Sequence, residues 1–298
     1  MVRPSVPEAD AEIGVQHPVL SHGFVALVDY MGNDAAIVQA ARVSYGRGTR
    51  SVRDDRGLIR YLIRHRHTTP FEMVEMKFLV RLPIYVARQW IRHRTASVNE
   101  YSARYSIVPD EYDLPPPEEV RRQATRNRQG RGEALAAEPV ERFRDDLRRV
   151  SEEAYAAYAR ALEAGVARET ARLLLPVAYY TQWYWKTNLW NLFHFLSLRL
   201  DPHAQEEIRL YARELAGIGR KVCPTAFEAF EEFELGAMHL GRKEQLALRR
   251  LLAGATPEEA CHEAGLPLLR EDGRPMTSGE GVEFLEKLGR LRSGDAAP

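Results

Sequence analysis

The sequence contains little cysteine and no excess of charge of either sign. Its 298 residues include two cysteines, Cys223 and Cys261, whose spacing forms neither a disulfide framework nor a zinc site. The 42 Lys and Arg residues balance the 42 Asp and Glu residues, so a general basic field that would hold nucleic acid or an anionic membrane is absent. We therefore expect no metal centre, and any site for an anionic ligand must be local.

Long apolar runs are also missing. Charged residues interrupt every segment that approaches the length of a membrane span, and residues 1–14 contain no apolar signal segment. We therefore expect a cytoplasmic protein with no membrane partner. With 45% hydrophobic residues, the chain can bury a sizeable core as one large domain or as a main domain with a small appendage.

The first part of the chain begins with a strand pattern and a helix pattern. After a Pro-containing tail at residues 1–20, residues 23–32 form an apolar run that predicts a strand. Asn33 is suited to cap a short helix over residues 34–45.

Three further patterns lead to the middle of the chain. Residues 54–67 place leucine and isoleucine four residues apart, which predicts an amphipathic helix. Residues 74–82 alternate apolar side chains with others, which predicts a half-buried strand. Pro83 is suited to open a helix over residues 84–94, where apolar residues recur at helical spacing.

The second half has mostly helical patterns. Residues 109–139 are rich in Pro, Arg, Glu and Gly without a periodic apolar face, which predicts a surface loop. Residues 140–164 predict a long amphipathic helix. We interpret residues 168–236 as mostly helical, including the aromatic stretch "YYTQWYWKTNLWNLFHFLSLR", and residues 237–298 as short helices separated by Gly and Pro.

The stretch "RHRTASVNEYSAR" at residues 92–104 concentrates charged and polar side chains. Basic residues at a helix end stabilise the helix dipole, but that does not account for Asn99, Glu100, Ser102 and Arg104 in the segment that follows. Arginine and serine together are typical of phosphate recognition, and a carboxylate with an amide suits sugar hydroxyls and base edges. The segment therefore predicts a site for a nucleotide of small-molecule size.

The motif R-H-R, seven residues, S-x-R, carried by residues 92–94 and 102–104, resembles the signature of the flavin-dependent thymidylate synthases. Five fixed residues at one spacing make the motif specific. Other segments look like blocks of the same family in the same order, and they are "GFVALVDYMGNDAAIVQAARVSY", "HTTPFE", "PIYVARQWIRHR", "RETARLLLP" and "NLFHFLSLRLDPHAQEEIR". The resemblance covers roughly residues 22 to 235.

The resemblance implies both a function and a fold. That family converts dUMP to dTMP with the methylene group of 5,10-methylenetetrahydrofolate and with hydride from FAD, which NADPH reduces. The implied fold class is α/β (α+β), with a central, mostly antiparallel sheet flanked by helices, a helix-rich second half and a small helical C-terminal appendage. The implied domains are a tail at 1–20, a catalytic domain at 21–236 and an appendage of unknown role at 237–298. The implied assembly is a homotetramer whose sites lie between subunits.

Family resemblance also implies the residues of the dUMP site. Ser102 occupies the place of a serine near the reacting carbon of uracil, and Arg199 resembles an arginine that stabilises the N3-deprotonated pyrimidine. We therefore expect Arg199, Ser102 and His67 to take part in catalysis. The residues expected to contact dUMP are Gln89, Arg92, Glu100, Ser102, Arg104, Arg172 and Arg199.

A second set is implied for the flavin. The residues expected to contact FAD are Thr69, Arg92, His93, Arg94, Glu100, Asn188 and His194, and His67 resembles a histidine beside the flavin and the folate. Structural alternatives exist for several of these residues. His67 is also suited to a helix end, His194 to a buried imidazole in an aromatic helix, and Arg172 and Arg199 to surface ion pairs. Against the last alternative, both arginines lie beside apolar runs, where an unpaired guanidinium is costly.

Two features bear on the details of the chemistry. Trp190 stands where many family members have an arginine, which puts one flavin contact in question. Cys223 lies in "KVCPTAF" without a basic activator nearby, so the sequence offers no evident thiolate nucleophile, which fits the flavin route.

Two rival functions are open. The first is a nucleic-acid-binding module that uses the Arg-rich residues 121–131, although the balanced charge and the absence of a nucleic-acid-binding motif count against it. The second is a folate- and FAD-dependent RNA uracil methyltransferase, against which the lack of a Gly-rich dinucleotide fingerprint counts.

Overall fold

The computed structural model describes residues 5–43, 55–124 and 130–293. Ser44, which belongs to one of the family-like segments, lies outside these residues, as do residues 125–129 of the Arg-rich stretch. The described part divides into two compact units, one up to residue 230 and one from residue 231 onward. The sequence predicted a domain boundary after Gly236, and the compact units divide after Phe230.

The first unit is built on an antiparallel sheet. The strands in chain order are β1 (Gln16–Val19), β2 (Gly23–Met31), β3 (Glu75–Pro83), β4 (Ser97–Glu100), β5 (Arg121–Gln123), β6 (Arg131–Ala134) and β7 (Tyr180–Asn188). Five of them form one sheet in the order β1-β2-β3-β7-β4, and β5 and β6 form a separate hairpin. Every pairing in the five-stranded sheet is antiparallel.

Helices surround this sheet. They are α1 (Pro7–Asp10), α2 (Asp34–Val43), α3 (Asp55–Arg64), α4 (Thr69–Glu72), α5 (Ile84–Trp90), α6 (Ala137–Glu163), α7 (Arg168–Ala171), α8 (Leu189–Arg199), α9 (Glu206–Val222) and α10 (Pro224–Phe230). The predicted α/β (α+β) fold with a mostly antiparallel sheet flanked by helices is confirmed. Among the described residues, no helix combines the length and the apolarity needed to cross a lipid bilayer.

Strand β3 has the alternation that the sequence predicts. Met76, Phe78, Val80 and Leu82 are buried with at most 1% exposure, while the residues between them are half-buried. Each such side chain stabilises the fold by about 1.5 to 3 kcal/mol relative to an exposed position. This row forms one wall of the core beneath the sheet.

Strand β7 corrects the prediction that the aromatic stretch is helical. The stretch is a strand up to Asn188, and the helix α8 begins only at Leu189. Trp183 and Trp185 are buried, and Tyr184 between them is 43% exposed, which is the alternation of a strand. Aromatic side chains suit the pleated surface of a sheet, and pairing with β3 along its whole length decides the conformation.

The N-terminal segment also differs from the prediction of a tail, because α1 and β1 lie within it. Tyr30 accepts a hydrogen bond from the backbone N–H of Val6 at 2.8 Å and donates one to Asp10 at 2.6 Å, and β1 pairs with β2. These elements are only four residues long, so they have no periodicity that the sequence reveals.

The loop predicted at residues 109–139 contains the β5–β6 hairpin and the start of α6. Arg131 of β6 forms ion pairs with Glu119 and with the buried Glu207 at the start of α9. The ion pair with Glu207 holds the β5–β6 segment in place, although this segment has no apolar face to bury. Separating the pair would leave the buried carboxylate of Glu207 without its partner, which is costly.

The second unit has its own small core. Its helices are α11 (Arg242–Leu252), α12 (Pro257–Glu263) and α13 (Glu280–Ser293). The core consists of Ala247, Ala260, Cys261, Ala264, Leu266 and Phe284. Thr256 caps α12 by accepting a hydrogen bond from the N–H of Glu259 at 3.3 Å.

Candidate active site

Arg199 is held at the C-terminal end of α8 by two groups from the end of α5 and the turn after it. Its Nε donates a hydrogen bond to His93 Nε2 at 3.0 Å, and its Nη2 donates to the backbone oxygen of Gln89 at 3.3 Å. A guanidinium Nε always carries its proton, so His93 Nε2 must be the acceptor and the ring proton must lie on Nδ1. The contact therefore fixes both the orientation of Arg199 and the tautomer of His93.

The electrostatics of this pair agree with its geometry. Burial, with the positive charge of Arg199 and the neighbouring His194, lowers the pKa of His93 to about 4. Burial also lowers the pKa of Arg199 from its ordinary value, but a guanidinium remains charged at neutral pH. At neutral pH the pair is thus one permanent cation and one neutral acceptor.

His194 faces the same cluster from one turn before Arg199. Its ring lies edge-on to that of His93, with the centroids 5.7 Å apart, and its side chain is exposed. The alternative of a buried core imidazole is therefore wrong, and His194 is accessible to a ligand.

Gln89 is positioned by a residue that sequence reasoning missed. Its side-chain amide donates a hydrogen bond to the side-chain oxygen of Gln205, which immediately precedes α9. The partners are 116 residues apart in the sequence, and no local pattern marks Gln205.

The basic segment after α5 has a different conformation from the one predicted. The helix ends at Trp90 rather than at Arg94, and the exposed Arg92 and Arg94 lie in the turn between α5 and β4. Residues 97–100 form β4, which pairs with β7. At the end of this edge strand, Glu100 accepts a hydrogen bond from Thr181 Oγ1 at 2.7 Å, which holds the carboxylate in one orientation.

Arg104 is joined to the helix α7 by an ion pair. Its Nε and Nη2 donate to Glu169 Oε2 at 3.0 Å and 2.9 Å, and the Ser102 hydroxyl accepts a hydrogen bond from the backbone N–H of Arg104 at 3.3 Å. Arg168 donates to the backbone oxygen of Tyr105 at 2.7 Å. The residues 102–105 and α7 therefore form one polar group of side chains, in which Glu169 is a second residue that sequence reasoning missed.

Arg172 directly follows α7 but does not lie in the apolar surroundings that the sequence suggested. Arg172 is exposed, and the adjacent Leu173 is 79% exposed. The argument that an unpaired guanidinium would be costly here is therefore wrong for the isolated chain. Arg172 follows in the chain the helix whose Glu169 pairs with Arg104.

His67 and Thr69 line a cavity of about 1020 Å³ between α2, α3 and α4. The rings of His67 and Tyr61 are nearly parallel, with an interplanar angle of 22° and a centroid distance of 6.0 Å. Cavities that bind organic ligands are about 300 to 1,000 Å³ in size, so this one can admit a large planar ring system.

Asn188, an expected FAD contact, has a structural role that the sequence did not predict. Its side-chain oxygen caps α8 by accepting hydrogen bonds from the backbone and side-chain nitrogens of Asn191, both at 2.9 Å. The half-buried Trp190 packs against Phe71 with ring centroids 6.2 Å apart. In this chain the tryptophan thus contributes to the packing between α4 and α8.

The structure brings several of the predicted site residues into three groups. The first contains Gln89, His93, His194 and Arg199. The second contains Ser102 and Arg104, with Arg172 directly after the helix that pairs with Arg104, and the third contains His67 and Thr69. Arg92, Arg94, Glu100 and Asn188 belong to none of these groups. Among the described residues, no cluster of His, Cys, Asp and Glu is suited to hold a metal ion.

The chain is similar to proteins of known family. A family model described as "Thymidylate synthase complementing protein" matches residues 26–225. A flavin-dependent thymidylate synthase of Ruegeria pomeroyi is 55% identical over 252 residues, which are 83% of each chain. One from Thermus thermophilus is 57% identical over 249 residues, which are 84% of this chain and 90% of that protein.

A solved structure is also similar. The UMP/dUMP methylase PolB from Streptomyces cacaoi, bound with 5-Br dUMP, is 37% identical with a TM-score of 0.65, and the match covers 73% of this chain and 98% of that one. The same enzyme bound with 5-Br UMP matches with a TM-score of 0.66 and 39% identity. The resemblance read from the motif at residues 92–104 is confirmed, and this chain belongs to the family of flavin-dependent thymidylate synthases.

Proposed function

We propose that this protein converts dUMP to dTMP, with 5,10-methylenetetrahydrofolate as the carbon donor and NADPH as the reductant of bound FAD. The observation that carries the proposal is the cluster of Arg199, His93 and Gln89, in which a permanent cation is held in one orientation by a neutral acceptor and a backbone oxygen. Such a cation stabilises an electron-rich, N3-deprotonated pyrimidine, because the anionic form of a base is favoured beside an opposite charge.

Arg199 has further donors for a substrate. A guanidinium has five N–H groups, of which one on Nε and one on Nη2 are used by His93 and Gln89. The others can donate to a pyrimidine carbonyl. Because Gln89 lies at the end of α5 and His93 lies between Arg92 and Arg94, the same segment would position both the pyrimidine and the flavin.

We assign the nucleotide phosphate to the second group of residues. Arg104 and Arg172 provide guanidinium groups and Ser102 a hydroxyl, which together are suited to bind phosphate oxygens. Glu100, fixed by Thr181, is suited to accept a hydrogen bond from a ribose hydroxyl or a base N–H.

We assign the flavin to Thr69, Arg92, His93, Arg94, Glu100, Asn188 and His194, and the folate to the neighbourhood of His67. The cavity beside His67 and Thr69 and the exposed imidazole of His194 support this assignment. When bound, FAD supplies the hydride that the methylene group needs to become a methyl group.

The cysteines support a route without a protein nucleophile. Cys223 is completely buried, and burial together with the negative charge of Asp34 raises the pKa of its thiol. A buried, protonated thiol cannot add to a uracil ring. Cys261 is equally buried, in the core of the second unit.

We also propose a cytoplasmic homotetramer whose active sites lie between subunits. Tyr105, Leu173 and Val177 are 75%, 79% and 59% exposed, and the first two are chain neighbours of Arg104 and Arg172. Apolar side chains exposed beside a polar site are typical of a surface that another chain covers. Sedimentation analysis tests this proposal, and a fully active monomer would contradict it.

UMP is a second candidate substrate, because the similar PolB enzyme is described as a UMP/dUMP methylase and was solved with analogues of both nucleotides. The experiment that separates them measures release of tritium from C5-labelled dUMP and from C5-labelled UMP, with NADPH and 5,10-methylenetetrahydrofolate present. We expect release from dUMP to be strongly preferred. Equal release from both nucleotides would assign the protein to the broader activity.

A further inference from the structure

Gln89 is held at two points by residues from the two ends of one short loop. Its backbone oxygen accepts a hydrogen bond from Arg199 Nη2 at 3.3 Å, and its side-chain Nε2 donates one to Gln205 Oε1. Arg199 is the last residue of α8, and Gln205 immediately precedes α9. A nucleotide that contacts Arg199 is therefore close to an amide group whose orientation depends on Gln205.

The loop that joins the two helices is folded by contacts of its own. The side chain of Asp201 accepts a hydrogen bond from the backbone N–H of His203 at 2.7 Å. The backbone oxygen of Asp201 accepts another from the N–H of Ala204 at 2.9 Å. These bonds restrict the backbone that leads into Gln205, so that its side chain starts from a defined position.

The side chain of Gln205 serves this contact and not its own helix. Gln205 is the N-cap residue of α9, but its side chain makes no capping hydrogen bond. At such positions Ser, Thr, Asp and Asn stabilise a helix by accepting a hydrogen bond from its first N–H groups. The side chain of Gln205 instead reaches Gln89, which is 116 residues away in the sequence. The residue therefore contributes to the orientation of Gln89 rather than to the start of α9.

The contact determines which end of the Gln89 amide is available to a ligand. The oxygen of an amide only accepts hydrogen bonds, and its NH2 group only donates them. Because Nε2 of Gln89 faces Gln205, its Oε1 is left for another partner. Among the residues that the structure describes, none donates to this oxygen, and Gln89 is only half-buried. A ligand that donates a hydrogen bond can therefore reach it.

We propose that Gln205 is a positioning residue that turns the side-chain oxygen of Gln89 toward the nucleotide, where this oxygen accepts a hydrogen bond from dUMP. The inference rests on the proposed function and adds to it a residue that does not itself touch the substrate. At neutral pH, dUMP has two groups that can donate such a bond, the N3–H of the base and the 3′-hydroxyl of the sugar.

Three substitutions of Gln205 with similar side-chain length separate orientation from packing. Gln205→Glu has only acceptors, so Gln89 keeps its orientation, and KM for dUMP should stay within about threefold of the wild-type value. Gln205→Lys has only donors, so the Gln89 amide turns round and its NH2 group meets a donor of the ligand. KM should then rise roughly tenfold or more. Gln205→Met leaves the amide without a fixed orientation and should give an intermediate increase.

Electrostatic attraction alone predicts the opposite order of the variants. Because dUMP is an anion, a lysine at position 205 would lower its KM and a glutamate would raise it. A lower KM for Gln205→Glu than for Gln205→Lys therefore cannot come from the added charges. KM for NADPH and the dissociation constant of FAD should not change, because Gln89 is assigned to dUMP.

Two controls complete the comparison, with each constant measured on flavin-bound protein. In a Gln89→Ala background, the three substitutions of Gln205 should have no effect on KM for dUMP, because the amide that they orient is absent. Gln245 is an exposed glutamine near the start of α11, so Gln245→Lys tests the effect of a lysine near the N-terminus of a helix. It should leave every kinetic constant unchanged.

Two analogues of dUMP identify the group that donates to Gln89. 2′,3′-Dideoxy-UMP lacks the 3′-hydroxyl, and N3-methyl-dUMP lacks the N3–H. Their inhibition constants are compared between the wild type and Gln205→Lys. The analogue that lacks the donor is the one whose binding the substitution does not weaken, and equal weakening of both analogues would overturn the inference.

Other results would also overturn it. They are equal KM values for dUMP in all three variants, a lower KM for Gln205→Lys than for Gln205→Glu, and effects that persist in the Gln89→Ala background. In each of these cases, formation of dTMP by the wild type would still support the proposed function. A folded, flavin-bound wild type that forms no dTMP would instead overturn the proposed function.

Discussion

Replacing Arg199 with alanine should separate the chemistry of this enzyme from its ability to hold the flavin. The side chain supplies a permanent positive charge at the end of α8 and is half-buried. Losing a charge-assisted hydrogen bond to the pyrimidine costs about 1.5 to 3 kcal/mol, which corresponds to a decrease of roughly ten- to hundredfold in turnover. The flavin should remain bound, because Arg199 is proposed to contact the nucleotide.

The structure also defines what the substitution does to its neighbours. His93 loses the donor on its Nε2, and because the site is only half-buried, water can replace that donor, so the stability cost should be about 1 kcal/mol. The positive charge of Arg199 is one of the causes that lower the pKa of His93, so that pKa should rise in the variant. NMR titration of the imidazole measures this rise directly.

The assay is formation of dTMP with saturating NADPH and folate, together with the flavin absorbance of each protein. Arg213→Ala is the control, because Arg213 is a half-exposed arginine of α9 that pairs with Glu206 at 3.0 Å. It should leave turnover unchanged. If Arg199→Ala makes dTMP at the wild-type rate, the assigned role of Arg199 is wrong.

Three other substitutions or conditions give defined results. Burial and adjacent positive charge lower the pKa of His93 to about 4, whereas the unfolded chain takes up this proton near pH 6.5, so stability should fall between about pH 6.5 and 4. As the pH is lowered over this range, the urea midpoint of His93→Gln should decrease less than that of the wild type. An equal decrease in both proteins would show that His93 is not the cause of the pH-dependent loss of stability. Glu169→Gln should lower KM for dUMP several-fold, because the carboxylate that pairs with Arg104 at 2.9 Å competes with a phosphate, and an increase in KM would mean that Glu169 instead orients the arginine. The double variant Cys223→Ala with Cys261→Ala should retain activity within a few-fold and lose about 1 to 2 kcal/mol of stability, whereas a folded, flavin-bound variant without turnover would show that a thiol takes part.

Patterns within one element were sufficient to predict several parts of the fold. The buried row of β3 follows from strict alternation of apolar residues, and α3 follows from apolar pairs four residues apart whose side chains are buried. Both signals are local, because they depend only on which face of a single element is apolar. The motif at residues 92–104 was specific enough to identify the family.

Contacts between distant parts of the chain could not be predicted from the sequence. Strand β7 was interpreted as a helix because its pairing with β3 joins residues about a hundred positions apart, and β4 was missed because its conformation comes from pairing with β7. Gln205 and Glu169 reach their partners across 116 and 65 residues. Such contacts are set by the tertiary fold, which intrinsic propensity does not specify.

The most direct test of the account is the formation of dTMP from dUMP by protein from which the flavin has been removed and then restored. We expect no product without FAD, and product with FAD, NADPH and 5,10-methylenetetrahydrofolate together. Formation of dTMP that is independent of FAD, or no formation by a folded protein with all three present, would contradict the proposal that this chain is a flavin-dependent thymidylate synthase acting on dUMP.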